Sequence, residues 1–117
     1  MKKYSELIKE NVNVGIQNLN SELLYLTEGE NQVGSLILIY NESGASIFSV
    51  EVLSNHRGKG YGKRLVEKAI DRCKERNCRV IELNTETDNK VANNLYQSMG
   101  FDLKGLKDGF NNYTKKI

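Results

Sequence analysis

The first half of the chain alternates short apolar runs with polar turns, a pattern typical of β-strands joined by tight connections. Apolar or β-branched residues are concentrated in Glu22–Thr27, Val33–Tyr40 and Ala45–Leu53. The continuous apolar run Leu36–Ile39 is typical of a strand that is covered on both faces. Asn41–Gly44 has the composition of a hairpin turn. The pattern therefore predicts three consecutive strands.

The third predicted strand alternates only in part. With the two-residue period of a strand, Phe48, Val50 and Val52 fall on one face. The opposite face then holds Ile47, Ser49, Glu51 and Leu53. Glu51 is thus a charged residue in a largely apolar strand.

Beyond a glycine-rich stretch the apolar period becomes that of a helix. The segment Gly60–Arg76 is predicted to be an amphipathic helix that ends at Asn77, a plausible left-handed terminator. Its apolar stripe consists of Leu65, Val66, Ala69, Ile70 and Cys73. Val80–Leu83 follows as a strand.

A second helix follows that strand. Thr87 or Asp88 is predicted to cap its N-terminus, and Gly100 to close its C-terminus. Its predicted apolar stripe consists of Val91, Ala92, Leu95, Tyr96 and Met99.

The remaining segments complete one α/β (α+β) domain over residues 1–117. Phe101–Lys104 and Asn112–Ile117 are predicted as closing strands, whereas Lys3–Glu10 fits a short helix or a first strand. The order is roughly β-β-β-α-β-α-β-β. The strand–helix–strand unit of Ala45–Asn84 implies a parallel crossover. We therefore expect a mixed central sheet flanked by helices, with a short N-terminal region.

Composition excludes several classes of function. A net charge of +2, from 17 basic and 15 acidic residues, is too small for a typical nucleic-acid binder. No apolar run suits a membrane span, and no secretory signal follows Met1, so we expect a cytoplasmic protein without a membrane partner. His56 is the single histidine, which excludes metal sites built on several imidazoles. Cys73 lies on an apolar helix stripe and is expected to be buried and inert.

The most informative segment is the glycine-rich turn Arg57–Lys63, between a predicted strand and a predicted helix. Exposed amides at a helix N-terminus, together with the helix dipole, suit a phosphate. A tight connection with solvated lysines is the alternative. A Walker A loop fails, because Arg57 stands where its first glycine belongs and Arg64 where its hydroxyl belongs. The dinucleotide fingerprint fails because Lys63 replaces its third glycine.

The turn resembles motif A of the GNAT N-acetyltransferase superfamily, Gln/Arg-x-x-Gly-x-Gly/Ala. Arg57, Gly60 and Gly62 occupy its defined positions. The second helix is similar to the family's Asn-x-x-Ala-x-x-x-Tyr-x-x-x-Gly-Phe signature, which Asn89 to Phe101 match. Two motifs in this order, with a strand between them, are highly specific.

The resemblance implies acetyl-CoA (coenzyme A) as co-substrate and no metal. Backbone near Val50 and Val52 would hold the pantetheine arm and polarise the thioester carbonyl, and Tyr96 would act as general acid or hydrogen-bond donor to the sulfur. The turn would hold the pyrophosphate through Arg57, Gly58, Lys59, Gly60, Tyr61, Gly62 and Lys63. Asn89, Ala92 and Tyr96 would complete the cofactor site on the second helix.

The general base is less defined than the acid. Glu51 is one candidate, because partial burial would raise the pKa of its carboxyl toward a useful value. An exposed edge residue or an ion-pair partner is the alternative for this position. Ser46 lies nearer to where some family members place a base, and its hydroxyl could align a water. His56 is interpreted as a packing or surface residue.

The resemblance therefore implies an N-acyltransferase that transfers acetyl from acetyl-CoA to an amine by direct attack in a ternary complex. A non-catalytic acyl-CoA-binding or regulatory module of the same fold is the alternative. Family members usually carry one or two helices between their first two strands, and Asn11–Ser21 is too short for a pair. The acceptor pocket is therefore either open or completed by a second copy in a homodimer. The acceptor is a small-molecule or protein amine.

Overall fold

A computed structural model describes residues 4–12 and 20–117, with only the backbone of residues 4–12. Two helices and one seven-stranded sheet of order β1-β2-β3-β4-β5-β7-β6 form the described fold. The strands are β1 (Tyr4–Val12), β2 (Asn20–Glu28), β3 (Asn31–Tyr40), β4 (Gly44–Val52), β5 (Val80–Glu86), β6 (Asp102–Lys107) and β7 (Phe110–Lys116). The helices are α1 (Tyr61–Glu75) and α2 (Lys90–Ser98). The predicted fold class is confirmed.

Among the described strands, only β4 and β5 pair in parallel, joined by α1 as predicted. The other neighbours pair antiparallel. The undecided first segment is a strand from Tyr4, paired with β2. The segment Asn11–Ser21, which was predicted to be too short for a pair of helices, lies partly in residues 13–19, outside the described part of the chain.

One face of the sheet carries the core. Cross-strand pairing aligns Leu38, Ile47, Leu83 and Tyr113 on β3, β4, β5 and β7. Buried residues of α1 and of α2 pack in the same core cluster as these four. We call this side the helix face and the other the open face. The prediction that Leu36–Ile39 is covered on both faces holds for one face only, because Ile37 and Ile39 are half-buried on the open face.

Helix α1 matches its predicted stripe. Leu65, Val66, Ala69, Ile70 and Cys73 are all buried. Asn77 ends the helical stretch with a positive φ of 59°, the left-handed terminator that was predicted. Burial raises the pKa of the Cys73 thiol to about 12, which agrees with an inert thiol. No helix in the described residues has the length and apolar character to cross a membrane.

Strand β4 contains a bulge that corrects the predicted alternation. Glu51 pairs with Ser35, but the next ladder pair is Phe48 with Ile37. Two residues of β4 thus oppose one residue of β3, and Ser49 adopts a φ of +54°. Val50 and Val52 pack on the core, whereas Phe48 and Glu51 are exposed. The prediction that Phe48 shares a face with the two valines is therefore wrong.

Helix α2 differs from its prediction at both its cap and its stripe. Its N-cap is Asn89, whose side chain accepts a hydrogen bond from the Ala92 amide at 3.1 Å, rather than Thr87 or Asp88. Val91, predicted to be in the apolar stripe, is 82% exposed, and Asn93 is buried instead. Gly100 follows the helix with a φ of +87°, as predicted.

A buried ionic cluster lies where the last turn of α1 meets β2 and β3. Glu22 is fully buried and accepts hydrogen bonds from Tyr40 and Arg72. The Arg76 guanidinium lies 3.9 Å from the centre of the Tyr40 ring. Burial alone would raise the pKa of Glu22, but the Arg72 and Tyr40 hydrogen bonds outweigh it and hold that pKa below its ordinary value. The cluster joins α1 to the sheet through a charged carboxylate.

Candidate active site

The glycine-rich turn adopts a backbone that demands glycine. A short 3₁₀ turn, Ser54–His56, follows β4, and Gly58 and Gly60 then take φ values of 78° and 82°. A Cβ at either glycine would have open space around it. The positive φ, rather than a lack of space for a side chain, therefore favours glycine at these two positions.

The turn ends in an uncapped helix N-terminus. Gly60 provides no side-chain cap to α1. The first hydrogen bond of the helix is donated by the Arg64 amide to the Gly60 carbonyl, at 3.1 Å. The amides of Tyr61, Gly62 and Lys63 therefore lack intrahelical acceptors. The first turn of α1 contains no acidic residue. The helix dipole and these amides make a site for an anion.

Side chains of the turn anchor it to the sheet. Arg57 donates from Nε to the Val52 carbonyl at 3.0 Å. Tyr61 is 1% exposed and donates its hydroxyl to Glu28. Only the backbone of Tyr61 can therefore contact a ligand. The His56 ring stacks on Tyr61 with centroids 6.4 Å apart and has its Nδ1 3.8 Å from a Glu28 oxygen, which agrees with the packing role.

A cavity opens where β4 and β5 separate. Their ladder joins only Gly44–Ile47 to Val80–Leu83, and beyond it a cavity of about 360 Å³ lies between the two strands. Backbone groups on this edge of β4 face the cavity instead of a partner strand. The cavity is lined from both faces of the sheet, by Ser46, Ile47, Phe48, Ser49, Val50, Glu82, Leu83, Asn84, Thr85, Glu86, Asn89, Ala92, Tyr96 and Phe110.

Tyr96 reaches this cavity from α2. Its side chain is 5% exposed and contacts the rings of Phe101 and Tyr113, with centroids 5.9 and 6.0 Å away. Its hydroxyl has no hydrogen-bond partner among residues 20–117, and it lines the cavity. Burial raises the pKa of Tyr96, so the phenol is protonated at neutral pH. The hydroxyl can donate to a group bound in the cavity.

A network of amides fixes α2 beside the cavity. Asn93 donates from Nδ2 to the carbonyls of Glu86 and Asn89, at 2.9 and 2.8 Å. Its Oδ1 accepts from Asn111 at 2.9 Å and from the Tyr113 hydroxyl at 2.6 Å. All four hydrogen-bonding positions of this buried amide are used. Sequence reasoning missed Asn93, although a polar residue beside an apolar helix stripe was the available signal.

The carboxylates around the cavity differ from the prediction. Glu51 is exposed and outside the cavity lining, so the partial burial expected for it is wrong, while its role as a base stays a prediction. Glu82 lines the cavity and accepts a hydrogen bond from the Ser46 hydroxyl at 3.0 Å. Glu82 was missed, because only the parallel register of β4 and β5 brings it to Ser46.

The predicted cofactor residues fall into two groups. Val50, Asn89, Ala92 and Tyr96 line the cavity, and Val52 lies just beyond it. The second group is the turn Arg57–Lys63, at the start of α1. The start of α1 lies beside the middle of α2 there, because a Cβ on Gly62 would lie 3.7 Å from the Leu95 side chain.

Comparisons with known proteins indicate one family. Residues 4–101 match the sequence profile of a family described as "Acetyltransferase (GNAT) family". N-alpha-acetyltransferase 30 of Saccharomyces cerevisiae is 50% identical over 50 residues, 43% of this chain and 28% of that protein. The uncharacterized protein YxbD of Bacillus subtilis is 38% identical over 82 residues, 69% of this chain and 50% of that protein. The chain thus spans half or less of the length of these curated relatives.

A solved structure shares the fold over nearly its whole length. The Bacillus subtilis acetyltransferase in complex with CoA superposes with a TM-score of 0.81 and 18% identity. The alignment covers 98% of this chain and 99% of that one. The likeness extends to both strands that border the cavity and to the helix after the glycine turn.

Proposed function

The chain belongs to the GNAT acetyltransferase family, and on that premise we propose that it transfers an acyl group, expected to be acetyl, from coenzyme A to an amine. The observation that carries the proposal is the cavity between β4 and β5, which Tyr96 lines with a hydroxyl that has no hydrogen-bond partner among residues 20–117. The uncapped start of α1 supports it, as does the CoA bound to the Bacillus subtilis structure of the same fold.

The two groups of residues suit two parts of one cofactor. The amides of Tyr61, Gly62 and Lys63 would hold the pyrophosphate, with the Lys63 side chain adding positive charge. The pantetheine arm would then follow the unpaired edge of β4 past Val52 and Val50 to bring the thioester into the cavity. Backbone N–H groups there would polarise the thioester carbonyl as the tetrahedral oxyanion forms.

The leaving thiolate needs less help than the amine. A thiol pKa of ~8.5 is below that of an ordinary tyrosine, ~10. Full proton transfer from Tyr96 would therefore cost at least about 2 kcal/mol, more with its raised pKa. Tyr96 is accordingly assigned as a hydrogen-bond donor to the developing thiolate, which takes its proton from solvent afterwards.

Deprotonation of the amine requires more free energy than protonation of the leaving thiolate. A lysine-like amine of pKa ~10.4 is neutral in only about one molecule in 2,500 at pH 7, which corresponds to about 4.6 kcal/mol. Glu51, predicted from the sequence, would have to act through water from outside the cavity. Glu82 lies in the cavity with the Ser46 hydroxyl beside it and is the second candidate for the base.

Glu82→Gln and Glu51→Gln distinguish the two candidates. The variant that lacks the base should lose kcat/KM at neutral pH and regain part of it as the pH rises toward the amine pKa of ~10.4, whereas the other keeps the wild-type profile. We expect the loss in Glu82→Gln, because its carboxylate lies in the cavity. A normal profile in both variants would leave deprotonation of the amine to solvent.

The test of the proposed function measures binding and turnover separately. Coenzyme A binding is followed by calorimetry, and thiol release from acetyl-CoA is followed with a thiol reagent across a panel of amines. We expect both. Coenzyme A binding without thiol release from any amine would instead identify a non-catalytic acyl-CoA-binding module.

Gly60→Glu tests the anion site. A side chain at a φ of +82° strains the turn, and its carboxylate repels the pyrophosphate, so we expect coenzyme A binding to be abolished. Gly109→Glu is the matched control, because Gly109 also has a positive φ and open space but lies in the β6–β7 turn. Unaltered binding in Gly60→Glu would contradict the pyrophosphate assignment.

A further inference from the structure

The cavity passes through the sheet. Ile47, Leu83 and Thr85 line it from the helix face, together with α2. The open-face lining consists of Ser46 and Phe48 on β4 and of Glu82, Asn84 and Glu86 on β5. Tyr96, more than nine-tenths buried with an unpartnered hydroxyl among the described residues, opens into it from the helix side. A cofactor held at the start of α1 thus leaves the open face to the acceptor.

The open-face wall of the cavity is acidic. Its charged lining residues are Glu82 and Glu86. Within the described part of the chain neither carboxylate pairs with a cation, and Glu82 accepts its hydrogen bond from the neutral Ser46. A cation of the neighbouring hairpin, Lys107, pairs with Phe110 across β6 and β7 and is followed by Asp108. The wall therefore favours a cation and offers little to a carboxylate.

Two phenylalanine rings border the same wall. Phe48 and Phe110 are 46% and 45% exposed, unusual for residues of this size. Phe110 lies directly opposite Glu86 in the β5–β7 ladder, so the two side chains are neighbours on the open face. An aromatic face beside a carboxylate is a favourable environment for an alkylammonium group.

The two carboxylates are at different depths. Glu82 lies where β4 and β5 are still paired, beside Ser46. Glu86 lies four residues further along β5, about 13 Å away at the strand rise per residue. An amine that reacts near Glu82 therefore has room to extend an aliphatic chain toward Glu86 and Phe110.

We propose that the acceptor is a small linear di- or polyamine, whose reacting nitrogen lies near Glu82 and whose second ammonium is held by Glu86 and Phe110. This inference rests on the proposed function, since it names the substrate class of the same cavity. It excludes free amino acids as the preferred acceptor, because their carboxylate would face the acidic wall.

Three eight-carbon probes test the inference, and kcat/KM for the diamine is divided by two because either of its nitrogens can react. They are 1,8-diaminooctane, octylamine and 8-aminooctanoate, which end in a cation, a methyl group and an anion. With acetyl-CoA at neutral pH, we expect kcat/KM for the diamine to exceed that for octylamine by about three- to tenfold, the effect of one exposed ion pair plus one ring contact. The amino acid should be the poorest substrate. Added salt should reduce the preference.

Glu86→Gln should bring the diamine-to-octylamine ratio toward one. Glu42→Gln is the matched control, because Glu42 is exposed in the β3–β4 turn and changes the net charge equally. Calorimetric titration of the diamine into the protein with coenzyme A bound gives a second measure that does not depend on turnover, and it should show the same dependence on Glu86.

The outcomes separate this inference from the proposed function. Thiol release with equal kcat/KM for diamine and octylamine, or a preference for the amino acid, would overturn the diamine inference and leave the acyltransferase standing. An unchanged ratio in Glu86→Gln would also overturn it. Absence of thiol release with every amine, together with absence of diamine binding, would contradict both.

Discussion

The two ends of the β4–β5 pair have opposite characters. At the paired end, Gly44 lies so close to Val80 that a Cβ on the glycine would be 2.1 Å from the Val80 carbonyl oxygen. At the other end the same strands border a cavity of about 360 Å³. We call these the closed end and the cavity end. One pair of neighbouring strands thus provides both a closely packed end and the cavity of the proposed reaction.

The carboxylates of the two ends show what the difference means. Glu22 lies on β2 and is fully buried with Arg72 and Tyr40 as partners, and Tyr40 pairs with Ala45 beside the closed end. Glu82, which lies in the paired stretch of β5 that borders the cavity, is exposed and has only the neutral Ser46 as its hydrogen-bond partner among the described residues. The first carboxylate is used for stability, and the second is available to a substrate. Substitutions at the closed end should therefore change folding, and those at the cavity end should change turnover.

Glu22→Gln should have the largest effect. The substitution leaves the Arg72 guanidinium without its buried anionic partner, and removal of one member of such a pair costs about 3–5 kcal/mol. Urea denaturation measures the loss. Glu75→Gln is the control, since Glu75 contacts the same Arg72 at 2.9 Å but is more than half exposed, and should cost at most about 1 kcal/mol. Equal losses would show that burial of Glu22 is unimportant.

The same residue predicts a dependence of stability on pH. The pKa of Glu22 is lowered in the folded protein, so its stabilisation is present above the unfolded value of ~4.3 and is lost as pH falls through the lower folded pKa. Between neutral pH and pH ~4 the contribution stays constant. Wild type should therefore lose stability below pH ~4 more steeply than Glu22→Gln. Parallel curves would mean that Glu22 carries no charge in the fold.

Gly44→Ala should have the next largest effect. The new methyl group would clash with backbone rather than with a flexible side chain, so β4 or β5 must shift, at about 1–3 kcal/mol. Gly105→Ala is the control, because nothing lies within 4 Å of its Cβ position, and it should change stability by less than about 1 kcal/mol. The melting temperatures of both variants test the contrast.

Tyr96→Phe should have the smallest effect on folding and a selective effect on turnover. Loss of one hydrogen bond to the developing thiolate should reduce kcat by about tenfold, or about 1.4 kcal/mol, with coenzyme A affinity retained. Tyr25→Phe, a half-buried tyrosine on β2, controls for removal of a hydroxyl elsewhere. Unchanged turnover in Tyr96→Phe would contradict the donor role.

Hydrophobic periodicity was sufficient for most of the fold. Both helices and most strands were predictable because amphipathic stripes and alternating runs are local properties of the sequence. The cap of α2 was not, because Thr87, Asp88 and Asn89 are all good capping residues and only the folded turn selects the last. The Ser49 bulge was not either, since a positive φ at a non-glycine residue leaves no mark on hydropathy.

The residues of the candidate site also differ in how far local sequence could indicate them. The glycine turn and Tyr96 are contained in contiguous motifs, so the sequence alone could indicate them. Glu82 and Phe110 lie on strands whose pairing brings them to the cavity, and pairing partners are set by topology rather than by neighbouring residues. Sequence reasoning therefore found the proposed cofactor side more completely than the proposed acceptor side.

The extra residue in β4 explains why an empty space persists inside a sheet. A bulged strand bends and leaves its ladder, so β4 turns away from β5 just beyond Ile47. Without the bulge, β4 could continue to pair with β5, and backbone hydrogen bonds between the two strands would close the cavity. Deletion of Ser49 should thus extend the β4–β5 ladder and exclude acyl donor and amine from the space between the strands. A single inserted residue keeps the two strands apart.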